Sequence, residues 1–452
     1  MPVSPARAAG FEILLRVERE GSYAADLLHS DAFARLETRD HGLATELVMG
    51  VLRWRSLLDQ RLAAVSSQKI ERLDIEVLAA LRLGAYQLLF LSRVPARAAI
   101  FESVELVKTA RKRSAAPFVN AVLRKVVSPV PADFIAGIRA SPDVASLALN
   151  AAHPAWLVER WAAQYGLQAA RQICIHNQSV PSTAIHLHEN VTEAELAYAG
   201  IQLASGRLLA SARQVVAGNI TATQAFRNGR ISIQDEASQL VALLAARGEN
   251  VGSAILDCCA APGNKTRLMA RRNPNAKVFA TEIHPHRARL LHSLNRLPNM
   301  LIIAGDARNL PFSHFFDRIL ADVPCSGTGT LNHNPEIKWR IKLHDLQDLH
   351  SKQVAILRSA LAQLSVGGRV VYSTCSLERE ENEAVIEAAL EQKSEFQIVD
   401  LNVELEQLMK SGELSSELTT SGVTSLLSGP YLRTIPGVHP CEGFFAAMIQ
   451  RR

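Results

Sequence analysis

Two short stretches place cysteines where chemistry is usually done: Asp322-Val323-Pro324-Cys325-Ser326-Gly327 and Ser373-Thr374-Cys375-Ser376. Each follows an apolar run, 318–321 and 369–372, that reads as a buried strand. In an open α/β sheet, ligands sit and reactions occur at the carboxyl ends of strands. Two thiols at such ends, one beside an acid and a proline, point to nucleophilic chemistry, because a cysteine thiolate is intrinsically reactive.

The elements that must carry these loops are legible upstream. Runs 254–257, 277–282, 301–306 and 319–322 each end in an acid: Asp257, Glu282, Asp306 and Asp322. The intervals leave room for crossover connections, so residues 231–452 read as an α/β domain with a doubly wound, Rossmann-like parallel sheet. Gly443-Phe444-Phe445 begins its closing strand, and 402–433, rich in Ser, Thr and Gly, reads as a mobile polar excursion. Residues 1–130 read as an all-α bundle: Leu47, Val48, Val51 and Leu52 recur at helical spacing, as do Leu78, Leu81, Ala85 and Leu88. Pro129-Val130-Pro131 and Ser141-Pro142 mark a boundary. Residues 145–230 then mix helix with short strands, as a small α+β domain does. His186 and His188 alternate on one such strand; exposed histidines are the expectation, and no metal site is expected.

The totals agree with this division. A chain of 452 residues allows two or three domains, and 48% hydrophobic with 21% charged residues describes a soluble protein with sizeable cores. No run approaches the ~20 apolar residues of a membrane span. The amino terminus lacks a signal-peptide core, so the cytoplasm is the expected compartment. Six cysteines without CxxC pairs read as reduced thiols. Residues 1–130 hold 19 basic against 14 acidic side chains, so the whole +5 excess lies in the helical part, compatible with phosphate contacts.

The segment Asp257-Cys258-Cys259-Ala260-Ala261-Pro262-Gly263-Asn264-Lys265-Thr266 turns tightly from strand to helix. It contains neither G-x-G-x-x-G nor a complete phosphate loop, which disfavours dinucleotides and nucleoside triphosphates. The acids suit another ligand. Glu282 is placed to accept both hydroxyls of a ribose, Asp306 to accept from an adenine amine, and the 259–265 turn to pack on an amino-acid tail. S-adenosylmethionine has all three parts. Any one acid alone is as readily a helix cap; four in succession at strand ends weaken that account. The spacing leaves open which cysteine attacks, and a Pro-Cys pair by analogy with DNA cytosine methyltransferases nominates Cys325.

Taken together, Cys259 to Thr266, Asp322-Val-Pro-Cys325-Ser-Gly-Thr-Gly and Ser373-Thr-Cys375-Ser resemble the RNA 5-methylcytosine methyltransferases of the NOP2/Sun group. Gln234-Asp-Glu-Ala-Ser238, Asn334-Pro-Glu-Ile-Lys-Trp339 and Gly443-Phe-Phe are further matches. The helical amino-terminal region resembles NusB and narrows the likeness to the bacterial RsmB (Sun) branch, which modifies small-subunit (16S) rRNA.

The resemblance implies three regions: a NusB-like RNA-binding domain at 1–130, an RRM-like subdomain at 145–230 and the methyltransferase domain at 231–452. It implies that Cys259, Ala260, Ala261, Pro262, Gly263, Asn264, Lys265, Glu282, Asp306 and Asp322 bind S-adenosylmethionine. It makes Cys375 the nucleophile and Cys325 the residue that releases product; the cytosine chemistry this implies would place Asp322 to hydrogen-bond the base. RNA, free or in an assembly intermediate, is the implied partner, and a monomer is expected. Two positions depart from the family: Asn264 stands where glycine is usual, where tolerance of left-handed angles would preserve the turn, and Glu282 replaces the commoner Asp. Lys338, Trp339 and Arg340 are candidates to contact the target base, with core packing the alternative for Trp339. The rival readings are a non-catalytic RNA-binding or ribosome assembly factor, for which neither thiol is needed, and a methyltransferase of another RNA.

Overall fold

The computed structural model describes residues 3–452 except 31, 34–35, 127–132, 189–190, 248–253, 296 and 314. The Pro129-Val130-Pro131 boundary lies outside the described residues. The chain forms two compact units: residues 1–180 with 331–340, and residues 181–330 with 341–452.

The first unit is helical. Pro5–Glu20, Thr38–Val65, Ile75–Phe90, Ala96–Thr109 and Ala116–Val126 bury Leu14, Leu47, Leu52, Leu81 and Leu123 against one another. Leu47, Val48, Val51, Leu52, Leu81 and Ala85 are thus core positions, while Leu78 and Leu88 are half-buried. Helices Phe134–Arg139, Val144–Asn150 and Ala155–Gln178 also belong to this unit.

The late segment 331–340 completes it. Lys338 is 1% exposed; its ammonium donates to the Arg53 carbonyl at 2.8 Å, and the Trp339 indole donates to the Leu52 carbonyl at 2.7 Å. Arg340 donates to the carbonyls of Val17, Gly21 and Ser22, satisfying acceptors left free where helix Pro5–Glu20 ends. Glu336 accepts from Ala24 N at 2.7 Å. These donors are engaged with backbone, and burial pushes the Lys338 ammonium well down. The expectation that this trio contacts a base is therefore corrected: the local sequence advertises charge and aromaticity, whereas the packing consumes both.

The second unit begins with strands β1 (Thr183–Leu187), β2 (Gln202–Ser205), β3 (Ala212–Ala217) and β4 (Ile231–Ile233), antiparallel in the order β2-β3-β1-β4. His188 corrects another expectation. It is 5% exposed and bonds Ser232 Oγ through Nε2 at 2.8 Å; burial pushes it down to about 3, so it is a neutral core group. His186 is partly buried beside it. Among the described residues no group of three or more His, Cys, Asp or Glu is arranged to hold a metal.

The larger sheet comprises β5 (Ala254–Asp257), β6 (Lys277–Glu282), β7 (Met300–Ala304), β8 (Phe316–Asp322), β9 (Leu364–Thr374), β10 (Phe396–Val399), β11 (Leu427–Ser428), β12 (Tyr431–Thr434) and β13 (Phe444–Arg451). Its order is β11-β12-β13-β9-β8-β5-β6-β7, with β10 also on β13. β7, β6, β5, β8 and β9 are parallel, and β13 returns antiparallel to β9. Alternation along each strand feeds two cores. Ile255, Val278, Leu320 and Val371 pack with helices Glu236–Ala246, Asn264–Arg272 and Leu401–Lys410 on one face. Leu256, Ile319, Val370 and Tyr372 pack with Leu343–Ala362 and Glu383–Leu390 on the other.

The stretch 402–433 also differs from its reading as a mobile excursion. It forms helices Leu401–Lys410 and Thr420–Ser425 and strands β11 and β12. Leu401, Leu405, Leu408, Leu414, Val423 and Leu426 enter the first core, which binds the segment to the sheet. Among the described residues no helix is long and apolar enough to cross a membrane.

Candidate active site

Strand order reverses between β5 and β8, and the crevice at their carboxyl ends is where such sheets bind ligands. A cavity of about 660 Å³ opens there, within the range of small-molecule sites. It is lined by Cys259, Ala261, Glu282, Asp306, Asp322, Cys325 and Cys375, so residues from five separate segments converge as expected. Ala260, Pro262, Gly263, Asn264 and Lys265 do not line it; they build the turn behind it or act through a neighbour.

The turn is braced from below. Asp257, 1% exposed at the end of β5, accepts from Thr266 Oγ1 at 2.7 Å and from Cys259 N at 3.3 Å. Cys258 N and Ala260 N donate to Leu320 O and Thr281 O, each at 2.9 Å. The Ala261–Pro262 peptide is cis. Gly263 then takes φ +110° as the cap of helix Asn264–Arg272. A Cβ there would lie 2.3 Å from Leu291 Cδ1 and 2.4 Å from Asn295 Nδ2, so both conformation and space demand glycine. Asn264 is the first helical residue and has no positive φ. Its tolerance of left-handed angles is not called upon; instead its Nδ2 donates to Ile233 O at 3.1 Å.

Burial pushes Asp257 up to about 6, over the opposing Thr266 hydrogen bond and with Asp322 adding to the rise. In the unfolded chain an aspartate titrates near about 3.9. The folded protein therefore holds this proton more tightly, and the group costs stability as pH rises from about 4 to 6, the cost persisting above. Asp257→Asn should raise unfolding free energy by on the order of 2 kcal/mol at pH 7 and by little at pH 4. Urea unfolding at the two pH values measures this; an equal difference at both would refute it.

Glu282 at the end of β6 is 5% exposed and accepts from His284 N at 2.9 Å through one oxygen. Arg287 stands 3.8 Å from the other. Asp306 lies just beyond β7, held below the usual carboxylate range by hydrogen bonds from Arg308, the closest at 2.6 Å. Arg287, Arg308 and Lys352 line the cavity, and sequence reasoning had named none of them.

The reactive side is built by β8 and β9. Asp322 and Ser373 are register partners, and Ser373 Oγ donates to Asp322 Oδ1 at 2.7 Å. The other Asp322 oxygen meets Lys265 Nζ at 2.7 Å, and this ammonium also lies 5.4 Å from the Phe444 ring. Burial alone would lower Lys265, but Asp322, followed by Cys375 and Asp257, outweighs it and holds the ammonium above its ordinary value. Because the two loops leave paired strand ends, their cysteines meet: Cys325 Sγ lies 3.3 Å from Cys375 Sγ, and both are free thiols. The hydrogen bond to Cys375, then burial, pushes the Cys325 thiol well up. Gly329 fixes the neighbouring backbone, donating to Cys375 O at 2.9 Å and accepting from Gly443 N at 2.9 Å. A Cβ on Gly329 would sit 2.3 Å from Gly443 O.

A family model described as 16S rRNA methyltransferase RsmB/F matches residues 241–450, and a NusB family model matches 4–128. The probable ribosomal RNA small subunit methyltransferase B of Bacillus subtilis is 35% identical over 417 residues, 89% of this chain and 92% of that protein. The chain belongs to the RsmB/F methyltransferase family. Ribosomal RNA small subunit methyltransferase B of Pseudomonas putida is 33% identical over 384 residues, 82% of this chain and 85% of that one. The crystal structure of a methyltransferase homolog protein from Pyrococcus horikoshii covers 69% of this chain and 100% of its own, at 25% identity and a TM-score of 0.55. In this RsmB/F methyltransferase, then, an all-α NusB-like region precedes a Rossmann-like catalytic sheet, and paired thiols stand at the end of that sheet.

Proposed function

We propose that this methyltransferase moves a methyl group from S-adenosylmethionine to C5 of a cytosine in small-subunit rRNA through a covalent Cys375 adduct. The observation that carries the reading is the close pair of thiols beside the Lys265–Asp322 ion pair, in one cavity with Glu282 and Asp306. The donor set suits S-adenosylmethionine. Glu282 would hold the ribose hydroxyls, Asp306 would take the adenine amine once Arg308 turns aside, and the Cys259–Ala261 turn would face the amino-acid tail. When bound, S-adenosylmethionine supplies an electrophilic methyl group.

The protein's task follows from the base. Cytosine C5 is too weakly nucleophilic to accept a methyl group unaided. Addition of the Cys375 thiolate to C6 gives an enamine whose C5 is nucleophilic, and Asp322 favours protonation at N3 as the adduct forms. After methylation, the Cys325 thiol passes its proton to the departing Cys375 sulfur and takes up the C5 proton in its place, and the N3 proton returns to solvent, which restores the aromatic ring. Cys325, 3.3 Å from that sulfur, is placed to assist proton transfer in this elimination. The target base must be single-stranded or flipped out to reach the thiols. Helix Pro285–Leu294 borders the site, carries Arg287 and Arg289 on its exposed face, and has no acidic residue, which favours an RNA backbone nearby.

Small-subunit rRNA transcribed with 5-fluorocytidine tests the reading, because fluorine at C5 blocks the final elimination. Incubation with S-adenosylmethionine should give an adduct that survives denaturation and maps by mass spectrometry to Cys375. An adduct on Cys325 would reverse the assignment, and none with competent RNA would remove the covalent mechanism.

A further inference from the structure

We propose that Glu381 is a positioning residue that locks the two cysteine loops together and sets its carboxylate behind Cys325. The inference rests on the covalent reading above and extends it to a residue with no part in bond making.

Glu381 is fully buried at the end of a short turn, Arg379–Glu381, ahead of helix Glu383–Leu390. One carboxylate oxygen accepts from Ser326 N at 2.8 Å and from Gln353 Nε2 at 2.9 Å. The other accepts from the hydroxyls of Ser326 and Ser376. Ser326 follows Cys325 and Ser376 follows Cys375, so one carboxylate grips the residue beyond each thiol. Its own backbone is fixed in turn, since the Tyr372 hydroxyl donates to Glu381 O at 2.6 Å. All four donors to the carboxylate are neutral. They satisfy the buried charge by hydrogen bonding without a cation to cancel it.

The field across the thiol pair is consequently uneven. Two of the four donors belong to Ser326, so the carboxylate stands behind the Cys325 loop and opposes negative charge on that thiol. The clamp therefore keeps the pair at reacting distance while disfavouring the anion at Cys325.

The test uses the whole chain, with and without substrates. Iodoacetamide alkylation of each cysteine, followed by peptide mass spectrometry from pH 6 to 10, needs no RNA. Glu381→Gln keeps the size and removes the charge, and should move the Cys325 profile down by about one pH unit. Methyl transfer should fall at least about tenfold in kcat, with KM for S-adenosylmethionine and RNA changed less than about threefold. A folded Glu381→Gln protein with an unmoved Cys325 profile overturns the proposal. If that variant does not fold, Ser376→Ala decides. Without that grip on the Cys375 loop, kcat should fall at least about tenfold with KM changed less than about threefold; an unchanged kcat overturns the proposal. A moved profile with no fluorocytosine adduct in the parent would retain the clamp and discard the covalent reading.

Discussion

Replacing Cys375 with alanine should abolish methyl transfer and adduct formation, whereas replacing Cys325 should leave the protein covalently tied to unmodified RNA. Both losses of turnover are expected to be at least about 10³-fold, as for residues that act as one unit, yet the end states differ. Without Cys375 nothing adds to C6, so C5 never becomes nucleophilic. Without Cys325 the addition still proceeds, because Lys265 and Asp322 remain at 2.7 Å from one another beside the attacking residue. Elimination then lacks the group 3.3 Å from the departing sulfur. Denaturing electrophoresis with labelled RNA separates the cases: a retarded band for Cys325→Ala and none for Cys375→Ala. Adduct-free inactivation of both would show that Cys325 has no role in release.

The second large effect belongs to a residue outside the cavity. Gly263→Ala should destabilise the catalytic unit by about 3 kcal/mol, from a left-handed backbone forced on an L-residue and from overpacking. The atoms a Cβ would meet cannot easily yield. Leu291 is fully buried, and Asn295 is held by Arg267 at 2.7 Å and by its own bonds to the carbonyls of Pro262 and Leu291. Relief must come from the turn itself, so S-adenosylmethionine affinity should fall more than about tenfold, since misplacement by about 1 Å is costly. Asn264→Gly next door should leave affinity within about threefold and cost about 1 kcal/mol, the helical penalty of glycine plus one partly exposed hydrogen bond. Urea unfolding and titration calorimetry measure both variants. Equal behaviour of the two would mean that the turn absorbs the methyl group.

The contrast between these neighbours shows what local sequence can and cannot reveal. Strand-end acids and the two cysteine motifs were legible because a period of two, a short apolar run and a following acid or proline are local signals. Their meeting in one cavity followed from parallel strand order. Glu381 was not legible: it lies in Glu378-Arg379-Glu380-Glu381, which reads as a solvated charge run, and only the fold turns it onto Ser326 and Ser376. Lys338 hides its role for the complementary reason, and Trp339 takes its core-packing alternative, since their partners Arg53 and Leu52 lie far away in the chain. Residues 402–433 looked mobile because Ser, Thr and Gly dominate between the leucines. Leu401, Leu405 and Leu408 nevertheless recur at helical spacing and pay for the order of that segment by burial.

The segment 331–340 has a consequence for how this protein can be divided and inherited. It leaves the catalytic sequence just after Thr330, yet Asn332, Glu336, Lys338 and Arg340 find their hydrogen-bond partners among residues 17–176. No single cut in the chain yields either unit whole. A fragment beginning at 181 would expose a lysine and a glutamate shaped for carbonyls and amides it no longer has, and light scattering should show it more aggregated than the full chain. For the same reason one recombination event cannot give the catalytic sheet a new helical companion. The helices and ten residues of distant sequence must be exchanged together, which ties the ancestry of the two units as firmly as a covalent crosslink would.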